Sequence, residues 1–463
     1  MAPPSRPATK RSPGLRAKVA AARLAAGASR AAGRGGTSLP GKVLLALDSH
    51  AIGRLSSELP AGVAVISATN GKTTTAAMTA AVLERAGHQL VHNAAGANMA
   101  GGVAGALVER DPNADLGLFE VDEFWLGELA AELRPRAVLL GNLFRDQLDR
   151  YGELESIAER WAEIVAAHPD TTFVLNADDP AVAALGDGRT ADVVYFGIED
   201  PSVGTPGLGH AADAKHCRNC GEPYDYAVVF LSHLGHYTCP NCGSRRPEPQ
   251  VKATQVGLTG LSGFDLTIES PAGSISGRVP LPGLYNVYNA LAAAALSLTL
   301  GAAPTPIAAG LAAVAPAFGR GESVEIDGKS LLLMLVKNPT GANEVLRTLA
   351  LESGPARVLA VLNDRIADGR DVSWVWDADY ELLKQSASSV VCSGTRAAEM
   401  AVRLKYAGFD PAVIELEPDL DRAITALVSA AAPEDRLVAI PTYTAMLELR
   451  QALVRRGVAE DSF

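Results

Sequence analysis

The stretch that most limits how this chain can fold is Ser67-Ala-Thr-Asn-Gly-Lys-Thr-Thr-Thr-Ala-Ala-Met78. It follows the apolar run Gly62–Ile66 and leads into the Ala-rich segment 74–87, so a buried strand has to turn at once into a helix. Such a turn suits phosphate. The free backbone N–H groups of Asn70, Gly71, Lys72 and Thr73 at a helix start make an anion cradle, and the Lys72 ammonium adds a point charge. The Thr73 hydroxyl is placed for Mg2+, with Thr74 beside it in the same first turn. A full Walker A loop carries Gly five positions ahead of its Gly-Lys, where this chain has Ile66. The loop is a shortened one, and the question is which nucleotide enzyme uses it.

The surrounding pattern agrees with a strand-to-helix turn. Residues 40–320 alternate apolar runs ("GVAVISAT", "LGLFEVD", "PRAVLLGNL", "TFVLNADD", "VVYFGI") with Ala-rich helical stretches, as a mostly parallel α/β sheet requires. The segment "FGRGESVEIDGK" (318–329) reads as a hinge. Beyond it "SLLLMLVKNP", "RVLAVLND", "SVVCSG" and "RLVAIPT" alternate with helices again, giving a second, smaller Rossmann-like α/β domain over 321–463. A chain of 463 residues is expected to build more than one core. Its net charge of −11 argues against nucleic acid as a partner. No apolar run reaches the roughly 18 residues that a membrane span needs. The N-terminal 1–39 segment stands apart, because residues 1–36 hold eight Arg and Lys and no Asp or Glu. It reads as a basic arm, or as a basic helix over 14–33 that touches an anionic membrane surface.

Four of the five cysteines form Cys217-x2-Cys220 and Cys239-x2-Cys242, with eighteen residues between the pairs. That spacing fits a tetrahedral four-thiolate Zn2+ site, a zinc ribbon inserted at 213–247, with Gly221 and Gly243 following the pairs as tight knuckles favour. A closed thiolate site is structural, since it leaves no open coordination position. Two disulfides are the alternative, but no export signal accompanies them. Cys392, in the apolar "SVVCSGT", reads as a buried core thiol.

The next apolar strand ends in Glu120, Asp122 and Glu123, oxygen ligands suited to a hard cation, unless they are merely solvated carboxylates at a strand end. Downstream stand "GNLFRDQLDRYGELE" (141–155), "VLNADDP" (174–180), "LPGLYNVYNALAAAA" (281–295) and "FGR" (318–320). In this order, with "TNGKTTT", they resemble the Mur ligases, which form amide bonds on peptidoglycan precursors through ATP and an acyl phosphate. The resemblance implies that Lys72 and Thr73 bind ATP phosphates and Mg2+, and that Glu120 is the magnesium carboxylate with Glu123 as its near alternative. It implies that Asn289 recognises adenine and Arg320 reaches phosphate, while Asn142 and Asp146 border the nucleotide.

Departures from that pattern narrow the expectation. Ala68 replaces a common Gly, and Gln147 replaces a histidine metal ligand of the family. No lysine occurs between Lys72 and Lys215, so the carbamylated lysine that often helps hold a second Mg2+ has no counterpart near Trp161. Few residues precede the core, so the usual UDP-binding domain is expected to be missing. The segments "LVKNPTGANE" (335–344) and "VLNDRIADGRDVSWVWDADYE" (361–381), with the ribbon, are similar to an amidating branch of the family. That branch converts the α-carboxylate of D-glutamate in lipid II to D-isoglutamine, using ammonia from a GatD-like glutamine amidotransferase subunit, in the cytoplasm at the inner face of the cell membrane.

The cysteines point the same way. Releasing ammonia from glutamine needs a reactive cysteine or terminal nucleophile. Four thiols are committed to zinc, Cys392 is apolar in setting, and the chain starts Met-Ala-Pro-Pro, so ammonia is expected from another polypeptide. The resemblance further implies that an aspartate of "DGRDVSWVWD" completes the partner's Cys-His pair: Asp371, with Asp368 and Asp377 as alternatives. Asp371 as a plain helix cap is the competing reading. Two other functions remain open at this point, a folylpolyglutamate-synthase-like amino-acid ligase and a non-catalytic ligase-fold scaffold.

Overall fold

A computed structural model of the protein describes residues 13–31, 38–93, 97–145, 154–189, 192–208, 212–315, 320–352, 354–432 and 435–459. The central domain is built on β1 (Gly62–Ser67), β2 (Leu90–His92), β3 (Leu116–Glu120), β4 (Ala137–Leu140), β5 (Thr172–Asn176) and β6 (Val193–Ile198), all parallel to their neighbours. Strands β9 (Val251–Leu258), β10 (Phe264–Glu269) and β11 (Ile275–Val279) extend this sheet, the last two antiparallel. The order is β11-β10-β9-β6-β5-β4-β1-β3-β2. Parallel strands covered by helices on both faces are buried twice over, which is why β1, β3 and β4 read as continuous apolar runs rather than alternating ones.

One face of the sheet packs against the helices Lys72–Arg85, Leu284–Thr299 and Pro304–Ala312. The other face carries Leu39–Leu47, Ala100–Glu109, Leu126–Leu133 and Leu154–Ala167. Trp161, on the last of these, is wholly buried in that second layer. The position where the family often has its carbamylated lysine is thus filled here by core.

The N-terminal basic segment forms a helix, Pro13–Ala31, and its apolar stripe faces inward. Leu15, Val19, Ala22 and Ala26 recur at helical spacing and are buried against Leu39–Leu47 and Ala100–Glu109. Lys18 pairs with Asp48 at 3.1 Å, and Arg23 Nε donates to the Val108 carbonyl at 2.8 Å. The face that a membrane-surface helix would bury in lipid is already used by the fold.

The second domain has a six-stranded sheet of order β12-β13-β17-β14-β15-β16. Its strands are β12 (Arg320–Ile326), β13 (Lys329–Met334), β14 (Ala356–Val361), β15 (Ala387–Ser393), β16 (Ile414–Leu416) and β17 (Arg436–Pro441). All pairs are parallel except the edge hairpin β12–β13. Within the segment read as a hinge, 318–329, residues 318–319 lie outside the described residues, and the rest is β12 and its tight turn, where Asp327 and Gly328 adopt positive φ. Cys392 lies in β15, fully buried, and burial pushes its thiol up to about 12, as befits a core residue.

The ribbon insertion carries its own hairpin, β7 (Asp225–Leu231) and β8 (Leu234–Thr238), tied to the main sheet by a buried ion pair. Arg246 Nε lies 2.5 Å from Asp178 Oδ1, and its guanidinium also reaches Glu199 at 2.7 Å. Asp178 is fully buried at the end of β5, where Ile198 N–H (2.9 Å) and Tyr288 O–H (2.7 Å) donate to its other oxygen. Arg246→Ala would leave that carboxylate without its cation, so we expect a loss of about 3–5 kcal/mol in denaturant unfolding. An unfolding midpoint equal to wild type would show that the ribbon is held by other contacts.

Candidate active site

The site begins where β1 ends. Ile66 is in register with Glu120 of β3, and Ser67 with Leu140 of β4, so three strand ends open on one edge of the sheet. From β1 the chain turns through Ala68–Gly71 into the helix Lys72–Arg85, as the loop sequence required. Gly71 caps this helix with φ +86°, a left-handed conformation that favours glycine. It also has no room for a side chain, because a Cβ there would lie 2.1 Å from Asn289 Oδ1.

Asn142, just past β4, holds the loop in place. Its side-chain carbonyl accepts Asn70 N–H at 2.9 Å and its amide donates to Asn70 O at 3.0 Å, while its own backbone carbonyl accepts Thr69 N–H at 3.0 Å. Asn289 is buried beside the loop; it accepts from Thr75 Oγ1 (3.2 Å) and donates to Asn286 Oδ1 (2.9 Å). Its neighbours therefore orient its amide, and it borders the cleft beside Asn70, Gly71 and Thr74. Thr73 is half-buried in the first helical turn.

Lys72 folds back over the loop. Its Nζ lies 2.8 Å from Glu123 Oε2 and also donates to the carbonyl of Ala68. Burial alone would lower its pKa, but the carboxylates of Glu123, Glu120 and Asp122 outweigh burial and hold it above the ordinary lysine value of 10.5. A raised folded-state pKa contributes stability that is fully present below 10.5 and lost only as pH climbs through the raised value, so the pair is intact at neutral pH. Glu120 has a different environment. Its backbone N–H and carbonyl are fixed by Asn93 (2.9 and 2.8 Å), and its carboxylate meets Asn98 Nδ2 at 3.5 Å. Glu123 is thus the resting counter-ion of Lys72, while Glu120 is held at the end of β3 without a direct ion pair to that lysine.

Residues of the second domain complete the cleft. Lys337 Nζ approaches Thr69 O at 3.4 Å, and Asn338 Nδ2 donates to Asn70 Oδ1 at 3.2 Å. Asn338 also caps the helix Pro339–Ala350, accepting Gly341 N–H at 2.8 Å with Pro339 in the first turn. Glu344 lies buried in the wall, where burial raises its carboxyl pKa despite Arg347 at 2.9 Å. Lys337 and Glu344, with Asn70, Gly71, Asn142 and Asn289 of the central domain, line about 800 Å³ of empty space, part of it open to solvent. The sequence reading gave Lys337, Asn338 and Glu344 no role; a Lys-Asn-Pro following an apolar strand was the signal available. Asp146 lies outside the described residues, as does the side chain of Arg320, whose backbone opens β12.

The four ribbon cysteines converge. Their sulfur atoms all lie within 4.8 Å of one another, with Cys217–Cys242 and Cys220–Cys239 each at 3.5 Å. Zn–S bonds of about 2.3 Å in a tetrahedron place sulfurs roughly 3.8 Å apart, so this donor set fits zinc. Gly221 and Gly243 turn with positive φ, and their N–H groups donate to the carbonyls of Cys217 (2.8 Å) and Cys239 (3.1 Å). Burial would raise the Cys217 thiol, but N–H groups of Asn219 and Cys220 bring it down to about 6; at Cys242 the Ser244 N–H lowers the thiol, but the thiols of Cys217, Cys239 and Cys220 push it up to about 12.

The three candidate aspartates of the second domain separate clearly. Asp368 is buried and accepts Thr444 N–H at 2.7 Å, which commits it to the fold. Asp377 sits 3.9 Å from Arg145 of the central domain. Asp371 is exposed, and one oxygen accepts Ser373 N–H at 2.8 Å at the start of the short 3-10 helix Ser373–Trp376, which holds its carboxyl below the usual range. That helix is anchored by buried Arg403, which donates to the carbonyls of Val375 (3.0 Å) and Ala378 (2.7 Å).

Comparison with known proteins agrees with this geometry. Residues 335–446 match the family described as MurT ligase C-terminal, and residues 66–242 the Mur ligase middle domain. The chain is 32% identical over 444 residues, 94% of its length and 96% of the relative, to the lipid II isoglutaminyl synthase (glutamine-hydrolyzing) subunit MurT of Staphylococcus aureus. It is likewise 32% identical to the subunit of that name from Streptococcus pneumoniae, covering 92% of this chain and 94% of the other. Among solved structures, a pseudomurein peptide ligase type C from Methanothermus fervidus superposes with a TM-score of 0.67 at 24% identity, over 87% of this chain and 80% of that one.

Two expectations follow from the site. Gly71→Ala forces a side chain onto Asn289 and a left-handed backbone onto alanine, so affinity for a non-hydrolysable ATP analogue should fall about tenfold or more in calorimetry. Cys217→Ser or Cys239→Ser should bring bound zinc close to nothing by metal analysis and lower the unfolding temperature. Wild-type protein purified without zinc, yet folded, would contradict the assignment of the four thiolates.

Proposed function

The chain belongs to the family of MurT subunits of lipid II isoglutaminyl synthase, and from that premise we propose that it is the ATP-consuming half of a two-subunit amidating enzyme. It is an ATP-dependent carbon–nitrogen ligase of peptidoglycan synthesis. The carboxyl group it activates is the α-carboxylate of D-glutamate in the lipid II stem peptide, and the product is D-isoglutamine. Ammonia comes from a GatD-like glutaminase, since the four ribbon thiols are committed to each other and Cys392 is buried with a raised pKa.

A single juxtaposition carries this reading. The shortened phosphate loop, Lys72 and Glu120 share one edge of the central sheet, and Lys337 and Asn338 reach that edge from the second domain. Asn142 already holds the Asn70 N–H expected in the cradle, so phosphate oxygens would bind at the N–H groups of Gly71, Lys72 and Thr73 and draw the Lys72 ammonium away from Glu123. The γ-phosphoryl group passes to the glutamate carboxylate, forming an acyl phosphate and ADP. Ammonia then attacks the acyl carbon, the C–O bond to the phosphoryl group breaks, phosphate leaves with that oxygen, and the new amide nitrogen loses a proton. Glu120 and Thr73 would be the oxygen donors for Mg2+, which would offset charge on the phosphates. Acyl phosphates hydrolyse readily, so the ammonia passes from the partner without entering bulk water.

Asp371 is the residue proposed to meet the partner. Its exposed position on an anchored turn supports a role in orienting the glutaminase histidine, a triad divided between two chains. No helix among the described residues is long and apolar enough to cross a membrane. In this reading the ligase works on the cytoplasmic side and meets its lipid-anchored substrate by peripheral contact.

Two substitutions separate the half-reactions. Lys72→Ala should abolish amidation with either glutamine or ammonium chloride while leaving association with the partner intact. Asp371→Asn should lower glutamine-driven amidation by about two orders of magnitude or more and spare the ammonia-driven rate. If Asp371 only caps the turn, both rates change equally and stability falls by about 1 kcal/mol. An unchanged ratio of the two rates in the purified complex therefore excludes the divided triad at Asp371.

A further inference from the structure

The zinc ribbon is not a peripheral ornament, because its far end reaches the nucleotide cleft. Strands β7 and β8 run from the four cysteines to a turn at Ser232 and His233, roughly 20 Å away at about 3.3 Å per residue. Leu231 and Leu234, on either side of that turn, line the cleft together with Phe144, Tyr285 and Tyr288. They sit in the same packed layer as the helix Leu284–Thr299 that carries Asn289.

The tip also bears on the segment that holds the phosphate loop. His233 is fully buried, its ring centroid 5.0 Å from that of Phe144 and its Nε2 3.5 Å from Asp179 Oδ2. The same Asp179 oxygen accepts Leu143 N–H at 2.8 Å, and Leu143 follows Asn142, which brackets Asn70. At the other end β8 runs directly into Cys239, and Tyr224, Tyr226 and Tyr237 pack edge-on and tilted against one another beside the cysteines, with centroids 5.0–6.4 Å apart. A two-stranded hairpin is marginal alone, so metal at its base contributes directly to holding both strands in register.

We propose that Leu231 and Leu234 form the apolar wall against which the base of the nucleotide packs, and that zinc and nucleotide binding are thereby linked. This inference rests on the reading of the cleft as the nucleotide site. The phosphate loop supplies polar contacts alone, whereas a purine needs apolar faces, and the ribbon tip provides them next to the oriented amide of Asn289. Linkage is reciprocal: if zinc steadies the wall that the base touches, bound nucleotide must slow the loss of zinc.

The test uses the full-length, zinc-loaded protein and two probes, the β,γ-imido analogue of ATP and inorganic triphosphate, both with Mg2+. Wild-type protein that binds neither probe would defeat the nucleotide reading itself. Given wild-type binding, Leu231→Ala and Leu234→Ala should each weaken the analogue about tenfold, the effect of removing roughly two buried methylene contacts, and leave triphosphate affinity within about twofold. Equal weakening of both probes, as general misfolding would give, or no weakening of either, overturns the wall. In wild-type protein the analogue should slow zinc release to a chromogenic chelator severalfold, and triphosphate should not. Identical release rates with and without the analogue overturn the linkage.

Discussion

The pairing of β1 with β3 on one side and β4 on the other is the constraint from which the site follows. Parallel strands end together, so their registers put the phosphate loop, Glu120 and Asn142 in one row at one edge. Asn142 then completes the loop by replacing the hydrogen bonds that Asn70 would otherwise make with water or a neighbouring strand. Without that bracket the helix start would have no fixed approach, and its free N–H groups would not converge on one anion.

Charge at this edge is balanced before any ligand arrives. Lys72 rests on Glu123, Asn338 reaches Asn70 from the second domain, and Lys337 rests near Thr69 O. A buried lysine without its carboxylates would be driven towards neutrality, so the acidic end of β3 is what keeps Lys72 charged for phosphate. The contacts from Lys337 and Asn338 show the two domains meeting over the loop, where exclusion of water strengthens electrostatic interactions.

The ribbon and the second domain are each tied to elements that line the cleft. Arg246 pairs with Asp178 beneath Tyr288, which ties the insertion to the helix that lines the cleft. On the second domain, Asn343 accepts Asp379 N–H at 2.6 Å, so the helix that carries Glu344 into the cleft also supports the segment bearing Asp371. Chemistry at the phosphate loop and the surface proposed for the partner thus share one rigid element.

Much of this was legible in the chain itself. A strand-to-helix turn with Gly-Lys-Thr, two Cys-x2-Cys pairs and strands at β1, β3, β4, β5 and β6 follow from local pattern, because backbone sterics and side-chain periodicity act over a few residues. Those features determined the fold class, the strand-to-helix loop and the four-cysteine cluster. The basic N-terminal segment is a helix, but charge in a sequence does not tell which stripe of a helix is buried, and only the tertiary structure shows that Leu15, Val19 and Ala22 are core. Asn142 closing on Asn70 from 72 residues away, Asn338 reaching it from 268 away and Leu234 lining the cleft were beyond any local reading. Strand order and helix packing bring distant segments together, and only the tertiary structure decides which side chains then touch.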